Sequence, residues 1–176
     1  KGRHTGLTGT QMKAIKNSNH IERDIVQHTN PMGILIQGDK AVGLILCAIE
    51  PGDYTAGIGW MDPIEATIIH VEIDADYHDK KLCTIFVSFI IYQLKLMGIK
   101  LIKMKNTSVT VSKSRPGPPG LPAYMCYCKA ALENGFKISM FDDGGKKHTD
   151  IELNVNLSNL HTFFSETNRW LHLILV

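Results

Sequence analysis

The chain has 176 residues, of which 44% are hydrophobic and 20% charged, and 19 basic against 17 acidic residues give a formal net charge of +2. This composition predicts one domain with a sizeable core and excludes a disordered chain, a collagen-like repeat and a disulfide scaffold. The balanced charge gives no general argument for binding nucleic acid or anionic membranes. We therefore expect a single domain over residues 1–176, with N-terminal helices over 1–30, a core over 31–157 and a C-terminal extension over 158–176.

The first part of the chain predicts one or two short helices that end at Asn30-Pro31, because the residue before proline disfavours helical backbone. MGILIQ and AVGLILCAIE then predict a β-hairpin across a turn that contains Gly38. After a loop rich in Gly, Pro and Asp, the segment ATIIHVEIDAD alternates as a half-buried strand does. Its expected buried face holds Ile69, Val71 and Ile73, and its polar face holds Ile68, His70, Glu72 and Asp74.

The next apolar segment predicts a buried helix from Leu82 to Met97, and Gly98 is expected to end it. Ser, Gln and Lys interrupt this segment, so its apolar stretch is too short to span a bilayer. IKLIKMK then predicts a strand parallel to the previous one, as in a βαβ unit. A proline-rich loop precedes a helix ending at Asn134-Gly135, the strand KISMF, the turn DDGGKK and the strand DIELNVNL. The apolar tail after Arg169 has two open interpretations, a pairing strand or a contact in a homodimer.

Known catalytic motifs are absent from the sequence, which has no G-x-S-x-G elbow, Walker-type loop, G-x-G-x-x-G or H-E-x-x-H pattern. The cysteines lack the paired spacing of zinc sites, so we expect reduced, mostly buried thiols and no metal. They are Cys47, Cys83, Cys126 and Cys128. No charged-then-apolar leader follows Lys1, and we expect a cytoplasmic protein that does not associate with membranes.

The order of the elements, together with YHDKKLCTIF before the long helix and ALENGFK after the second one, resembles the GNAT superfamily of N-acetyltransferases. The resemblance implies an α/β fold of the α+β kind: a central mixed, mostly antiparallel twisted sheet with a splayed strand pair and flanking helices. It also implies an enzyme that transfers an acetyl or related acyl group from acetyl-CoA, or another acyl-CoA, to a small-molecule or protein amine. The amine would attack the thioester directly in a ternary complex.

In that family the turn Q/R-x-x-G-x-G/A binds the cofactor's pyrophosphate through backbone N–H groups at the start of the long helix. The matching turn here is degenerate, with His78 at the first position and Lys81 and Cys83 at the glycine positions. Lys80 and Lys81 supply positive charge instead. The cofactor-binding residues that the resemblance implies are Ile73, His78, Asp79, Lys80, Lys81, Leu82, Cys83 and Thr84.

The resemblance also implies the catalytic residues. Glu72, and after it His70, is the expected general base, because both lie on the polar face of the splayed strand. Ala131 replaces the family's acid tyrosine, and Tyr127, one turn earlier on the same helical face, is the expected substitute, with Tyr124 behind it. A solvated strand residue and a packed core tyrosine are the structural alternatives for these positions.

Two other functions stay open. Loss of the glycines and the tyrosine also fits a GNAT-fold domain that serves as a binding or regulatory module. A GNAT-fold enzyme with a different donor, or with a nucleic-acid acceptor, is the other alternative, and the nucleic acid would need a basic strip of Lys103, Lys105, Lys113 and Arg115. Asp74 and Asp76 are expected either to bind a cationic acceptor or to cap the following turn.

Overall fold

The structure is a computed structural model that describes residues 8–27, 31–50, 52–78, 81–106, 113, 117, 119–151 and 169–175. Within these ranges the helices are α1 Gly9–Lys16, α2 Ile21–Gln27, α3 Leu82–Leu96 and α4 Leu121–Glu133. The strands are β1 Pro31–Gln37, β2 Lys40–Glu50, β3 Tyr54–Thr55, β4 Gly59–Trp60, β5 Glu65–Ile73, β6 Leu101–Asn106, β7 Phe136–Phe141, β8 Lys147–Ile151 and β9 Arg169–Leu175. None of the described helices has the length and apolarity that crossing a bilayer requires.

Seven strands form one sheet in the order β1-β2-β5-β6-β9-β7-β8, and β3 and β4 form a small separate hairpin. Only β5 and β6 are parallel among the neighbouring pairs of the large sheet, with α3 as the crossover between them. The other pairs are antiparallel. The structure therefore confirms the predicted mixed, mostly antiparallel sheet with flanking helices.

The two main helices end where the sequence predicts. Gly98 follows α3 with φ 88° and Gly135 follows α4 with φ 79°, the left-handed conformation that glycine adopts without strain. Both helices pack on one face of the sheet, and α1 and α2 cover β2 on the other face. The apolar residues that α3 buries in the core are Phe86, Val87, Ile90, Ile91 and Leu94.

The C-terminal strand β9 lies inside the sheet, between β6 and β7. The sequence predicts an extension over residues 158–176, whereas the structure pairs Leu101 with Ile174 and Phe136 with Leu175. Leu171 and Leu173 are fully buried because both edges of β9 are paired and one face meets the core. Of the two interpretations of the tail, the structure shows the pairing strand. The part of the predicted strand DIELNVNL that follows Ile151 lies outside the described residues.

A β-bulge in β5 changes the predicted alternation of its faces. Leu46 pairs with His70 and Cys47 pairs with Ile68, so that Ile69 is the extra residue between them. Ile69 was expected in the core, but its side chain is 53% exposed, whereas Ile68 is 3% exposed. The prediction was wrong for these two residues because strict alternation cannot anticipate an inserted residue.

Beyond the bulge the faces follow the predicted order. Val71 and Ile73 pack against the same core cluster as Ile68, on the side of α3 and α4. His70 and Glu72 therefore lie on the opposite face, which α1 and α2 partly cover. The bulge thus lets one strand present apolar residues to the main core along its whole length while it keeps two titratable side chains together.

Candidate active site

The two parallel strands separate halfway along β5. Their pairing runs from Glu65 opposite Leu101 to Ile68 opposite Met104. β5 continues to Ile73, still paired with β2, while the end of β6 pairs with β9. We call residues 65–68 of β5 the paired half and residues 69–73 the open half. The open half has a strand partner on the β2 side only, among the residues that the structure describes.

The backbone at the end of the open half is directed into this gap. The Asp74 N–H donates to the Val42 carbonyl oxygen at 2.8 Å, so the backbone groups of Asp74 face β2. Backbone groups alternate along a strand, which turns those of Ile73 away from β2. The Ile73 carbonyl oxygen accordingly accepts a hydrogen bond from Nε2 of His78 at 2.7 Å, instead of a ladder bond. The Ile73 N–H points to the same side of the strand.

His70 and Glu72 meet a third titratable group, Asp24 of α2. Nε2 of His70 lies 3.2 Å from Oε2 of Glu72. One ligand atom each of Asp24, His70 and Glu72 lies within 4.8 Å of the others. The Asp24 and Glu72 side chains are 19% and 20% exposed, and the His70 side chain is 43% exposed. The sequence prediction placed two of these groups together, and the fold adds the third.

Hydrogen bonds within this cluster shift all three pKa values. The contact with His70 lowers the pKa of Glu72, and the same contact raises the pKa of His70. The pKa of Asp24 is raised, first by its hydrogen bond with Glu72 and then by burial. Of the two acids, Glu72 therefore loses its proton more readily, and its neighbours supply the hydrogen bonds that orient it.

Asp24 was missed because it is 46 residues or more from its partners in the sequence. A weak local signal did exist. Ile21 is 2% exposed and lies one turn before Asp24, so the two share a helical face that packs on the protein. An acidic residue on the buried side of a short amphipathic helix is uncommon, and it indicates a polar partner in the sheet below.

The residue before α3 has the left-handed backbone conformation of a glycine, although the sequence has no glycine there. Lys81 has φ 60° and is the one non-glycine residue with positive φ in the part of the chain that the structure describes. It therefore adopts the conformation that a glycine favours at this place. No side chain caps the helix there, and the first N–H groups of a helix have no partner within it. Exposed N–H groups and the helix dipole favour an anion.

Cys83, at the second glycine position, turns its side chain toward α4. A hydrogen bond from the thiol of Cys126 lowers the pKa of Cys83, while burial acts against this shift. Cys126 is 5% exposed and belongs to the main core. The Cys83 side chain is consequently packed behind the first turn of α3, and it does not fill the space in front of the N–H groups.

The remaining predicted cofactor residues have different surroundings. Leu82 and Thr84 are half-buried in the first turn of α3. The His78 ring is engaged by the Ile73 carbonyl oxygen, so it positions the turn. Asp79 and Lys80 lie outside the described residues.

Asp74 caps the turn that follows β5, which was one of its two predicted roles. Its carboxylate accepts the Asp76 N–H at 3.1 Å and the side-chain amide of Asn19 at 2.7 Å. Lys40 lies 3.7 Å away and adds a charge partner. These contacts stabilise the end of β5 and thereby the position of Glu72.

The predicted acid Tyr127 lies in the core cluster between α3 and α4, with 7% of its surface exposed. Burial raises the pKa of Tyr127 well above its ordinary value. Tyr124 is fully buried. Both positions agree with the alternative of packed tyrosines, and the acid role of Tyr127 stays a prediction.

Two of the four residues in the basic strip proposed for a nucleic-acid acceptor form ion pairs with acids. Lys103 forms an ion pair with Glu65 at 2.6 Å, and Lys105 forms one with Asp143 at 2.9 Å. Lys113 is exposed, and Arg115 lies outside the described residues. Paired lysines leave little charge for phosphates, which argues against this alternative.

Comparisons with known proteins give matches among solved structures. One is a diaminobutyrate acetyltransferase from Paenibacillus lautus in complex with its substrate and coenzyme A, with TM-score 0.44, 12% identity, and coverage of 80% of this chain and 68% of that one. Another is a Bacillus subtilis acetyltransferase in complex with CoA, with TM-score 0.45, 14% identity and coverage of 81% and 73%. A third is the ribosomal-protein-S18-alanine N-acetyltransferase from Escherichia coli, with TM-score 0.42, 14% identity and coverage of 88% and 75%.

No protein-family model and no curated protein matches the sequence.

Proposed function

We propose that this protein is an acyl-CoA-dependent N-acyltransferase that moves an acetyl or related acyl group to an amine. The observation that carries the proposal is the gap between β6 and the open half of β5. The uncapped start of α3 lies at one end of this gap, and Glu72 belongs to the open half of β5 that borders it. An anion-binding helix end, a free strand backbone and a carboxylate are the three elements that acyl transfer from a phosphate-bearing thioester requires.

The chain's own groups have separate roles in this proposal. The N–H groups at Leu82, Cys83 and Thr84 bind the pyrophosphate, with Lys81 adding positive charge. An acyl-CoA, when bound, supplies the acyl group as a thioester. The Ile73 N–H, directed into the gap, donates to the acyl carbonyl oxygen and stabilises the charge that develops there.

Glu72 accepts the proton of the attacking amine. Its lowered pKa keeps it ionised at neutral pH, and His70 and Asp24 orient it through hydrogen bonds. The acidic cluster also favours a positively charged acceptor before attack. The amine attacks the thioester directly in this proposal, and the Cys83 thiol beside the α3 turn is turned inward toward Cys126. Protonation of the departing thiolate by Tyr127 stays a prediction, and the 7% exposure of Tyr127 does not favour it.

Isothermal titration of the protein with acetyl-CoA tests the cofactor site. We expect saturable binding that Lys81→Glu weakens about tenfold, because reversing the charge beside the helix start costs on the order of 1–2 kcal/mol. Lys100→Glu is the matched control, since Lys100 is exposed and follows the far end of α3. Absence of binding at millimolar acetyl-CoA would reject the proposal.

Turnover is tested by thiol release from acetyl-CoA in the presence of a panel of small and peptide amines. Release that depends on one class of amine would identify the acceptor. Tight acetyl-CoA binding without release for any amine would contradict the transferase proposal and indicate a binding or regulatory module instead.

A further inference from the structure

We propose that Asp24, His70 and Glu72 form a binding site for a divalent transition-metal ion such as Zn²⁺. Their ligand atoms lie within 4.8 Å of one another, and no other group of three such side chains meets in this way within the described ranges. The spacing of the cysteines predicts no metal site, whereas this set combines an imidazole with two carboxylates from two elements that are distant in the sequence.

The donor atoms suit this class of ion. Imidazole nitrogen and carboxylate oxygen are ordinary Zn²⁺ ligands, and three protein ligands with an open fourth position are typical of accessible zinc sites. Two ligands about 2.0–2.1 Å from a tetrahedral ion lie roughly 3.3 Å apart. Nε2 of His70 and Oε2 of Glu72 are 3.2 Å apart and share a hydrogen bond, which an ion held by both atoms would replace with little change in their separation.

The supporting elements hold the donors in place. His70 and Glu72 are two residues apart on one face of β5, opposite Leu46 and Leu44 of β2. Both leucines are buried in the smaller core under α1 and α2. That packing fixes the strand face against α2, which carries Asp24. The donors therefore come from two elements that pack on the same small core, which lowers the entropic cost of binding.

The arginine that pairs with Asp24 is weakly placed. Nε of Arg23 lies 3.7 Å from Oδ1 of Asp24, a distance too long for a hydrogen bond, and the Arg23 side chain is 68% exposed. An exposed contact of this length contributes little energy. A divalent ion between the two carboxylates neutralises them more completely than Arg23 does.

This metal site does not depend on acyl transfer. Only one consequence rests on the proposed function: an ion on Glu72 would occupy the general base, so that Zn²⁺ would inhibit turnover. The site is tested without acyl-CoA or amine, and its outcome is therefore separate from that of the transferase assay.

The test is titration of the full chain with Zn²⁺ by calorimetry and with Co²⁺ by visible absorption. We expect one ion per chain, and we expect Asp24→Asn and His70→Asn each to weaken binding about tenfold or more. Glu22→Gln is the control, because Glu22 is an exposed acid on the same helix and its loss changes the net charge equally. It should change the affinity less than twofold.

Three results would overturn the metal site. They are the absence of saturable binding, equal affinity in all variants, and a strong thiolate-to-cobalt absorption, which would place the ion on cysteines. Circular dichroism establishes whether each variant is folded. If Asp24→Asn or His70→Asn does not fold, Glu72→Gln is titrated in its place.

Discussion

The two halves of β5 differ in almost every respect although they belong to one strand. The paired half lies between β2 and β6, buries Ala66 and Ile68, and pairs its one acid, Glu65, with Lys103. The open half keeps β2 but loses β6, exposes Ile69 and carries the cluster around Glu72. The change occurs at the bulge, within two residues of the last pair with β6.

This difference separates stability from chemistry along the strand. A strand that is hydrogen-bonded on both sides stabilises the sheet, but it has no unpaired N–H or C=O group for a ligand. A strand that is held on one side stays in place while its other N–H groups are available. The same contrast appears between the two acids, because Glu65 forms an ion pair with a lysine, whereas Glu72 contacts a titratable imidazole and lies near a second carboxyl group.

The largest effect is expected from removing each acid in turn. Glu72→Gln should reduce turnover by about 10²–10⁴-fold, the usual contribution of a general base. Glu65→Gln should leave turnover within about threefold, because it removes only a partly exposed ion pair. Steady-state kinetics with acetyl-CoA and a saturating amine measures both. Equal losses in the two variants would contradict the division between the halves.

The next effect concerns the bulge. Ile68→Ala should lower the free energy of unfolding by about 2–5 kcal/mol, because it opens a cavity in the core. Ile69→Ala should change it by less than about 0.5 kcal/mol, since the side chain is 53% exposed. Urea unfolding followed by circular dichroism compares them. A larger loss for Ile69→Ala would place the bulge elsewhere and restore the simple alternation.

The smallest effect concerns the contacts that hold β6 after it leaves β5. Lys105 lowers the pKa of Asp143, and the indole N–H of Trp170 adds to this. A carboxyl whose folded pKa is lowered stabilises the fold above its unfolded pKa, about 3.9, and loses that contribution as the pH falls through the folded value. Asp143→Asn should therefore lower Tm slightly at pH 7, and this difference should shrink as the pH falls below about 3.9.

Thermal melts across that range, with Asp53→Asn as an exposed control, test this expectation. A Tm difference between Asp143→Asn and the parent protein that is as large at pH 3 as at pH 7 would show that the Asp143 charge has no part in it.

Much of the candidate site was accessible from local patterns. The strand with His70 and Glu72 on one face followed from alternation, and the start of α3 followed from its apolar spacing. Two features were not accessible. The left-handed conformation of Lys81 gives no sequence signal, because lysine rarely adopts it. Asp24 joins the site only because α2 packs across β2.

The sequence by itself determined the helices and the longer strands before the C-terminal tail, together with most of their ends. Helical and strand periodicities depend on neighbouring residues, and Gly98 and Gly135 end their helices through their own backbone freedom. Only the tertiary structure decided that β9 enters between β6 and β7, that Ile69 bulges out of β5, and that Asp24 meets Glu72. These outcomes depend on long-range pairing and on packing between distant segments, whose energies no local pattern contains.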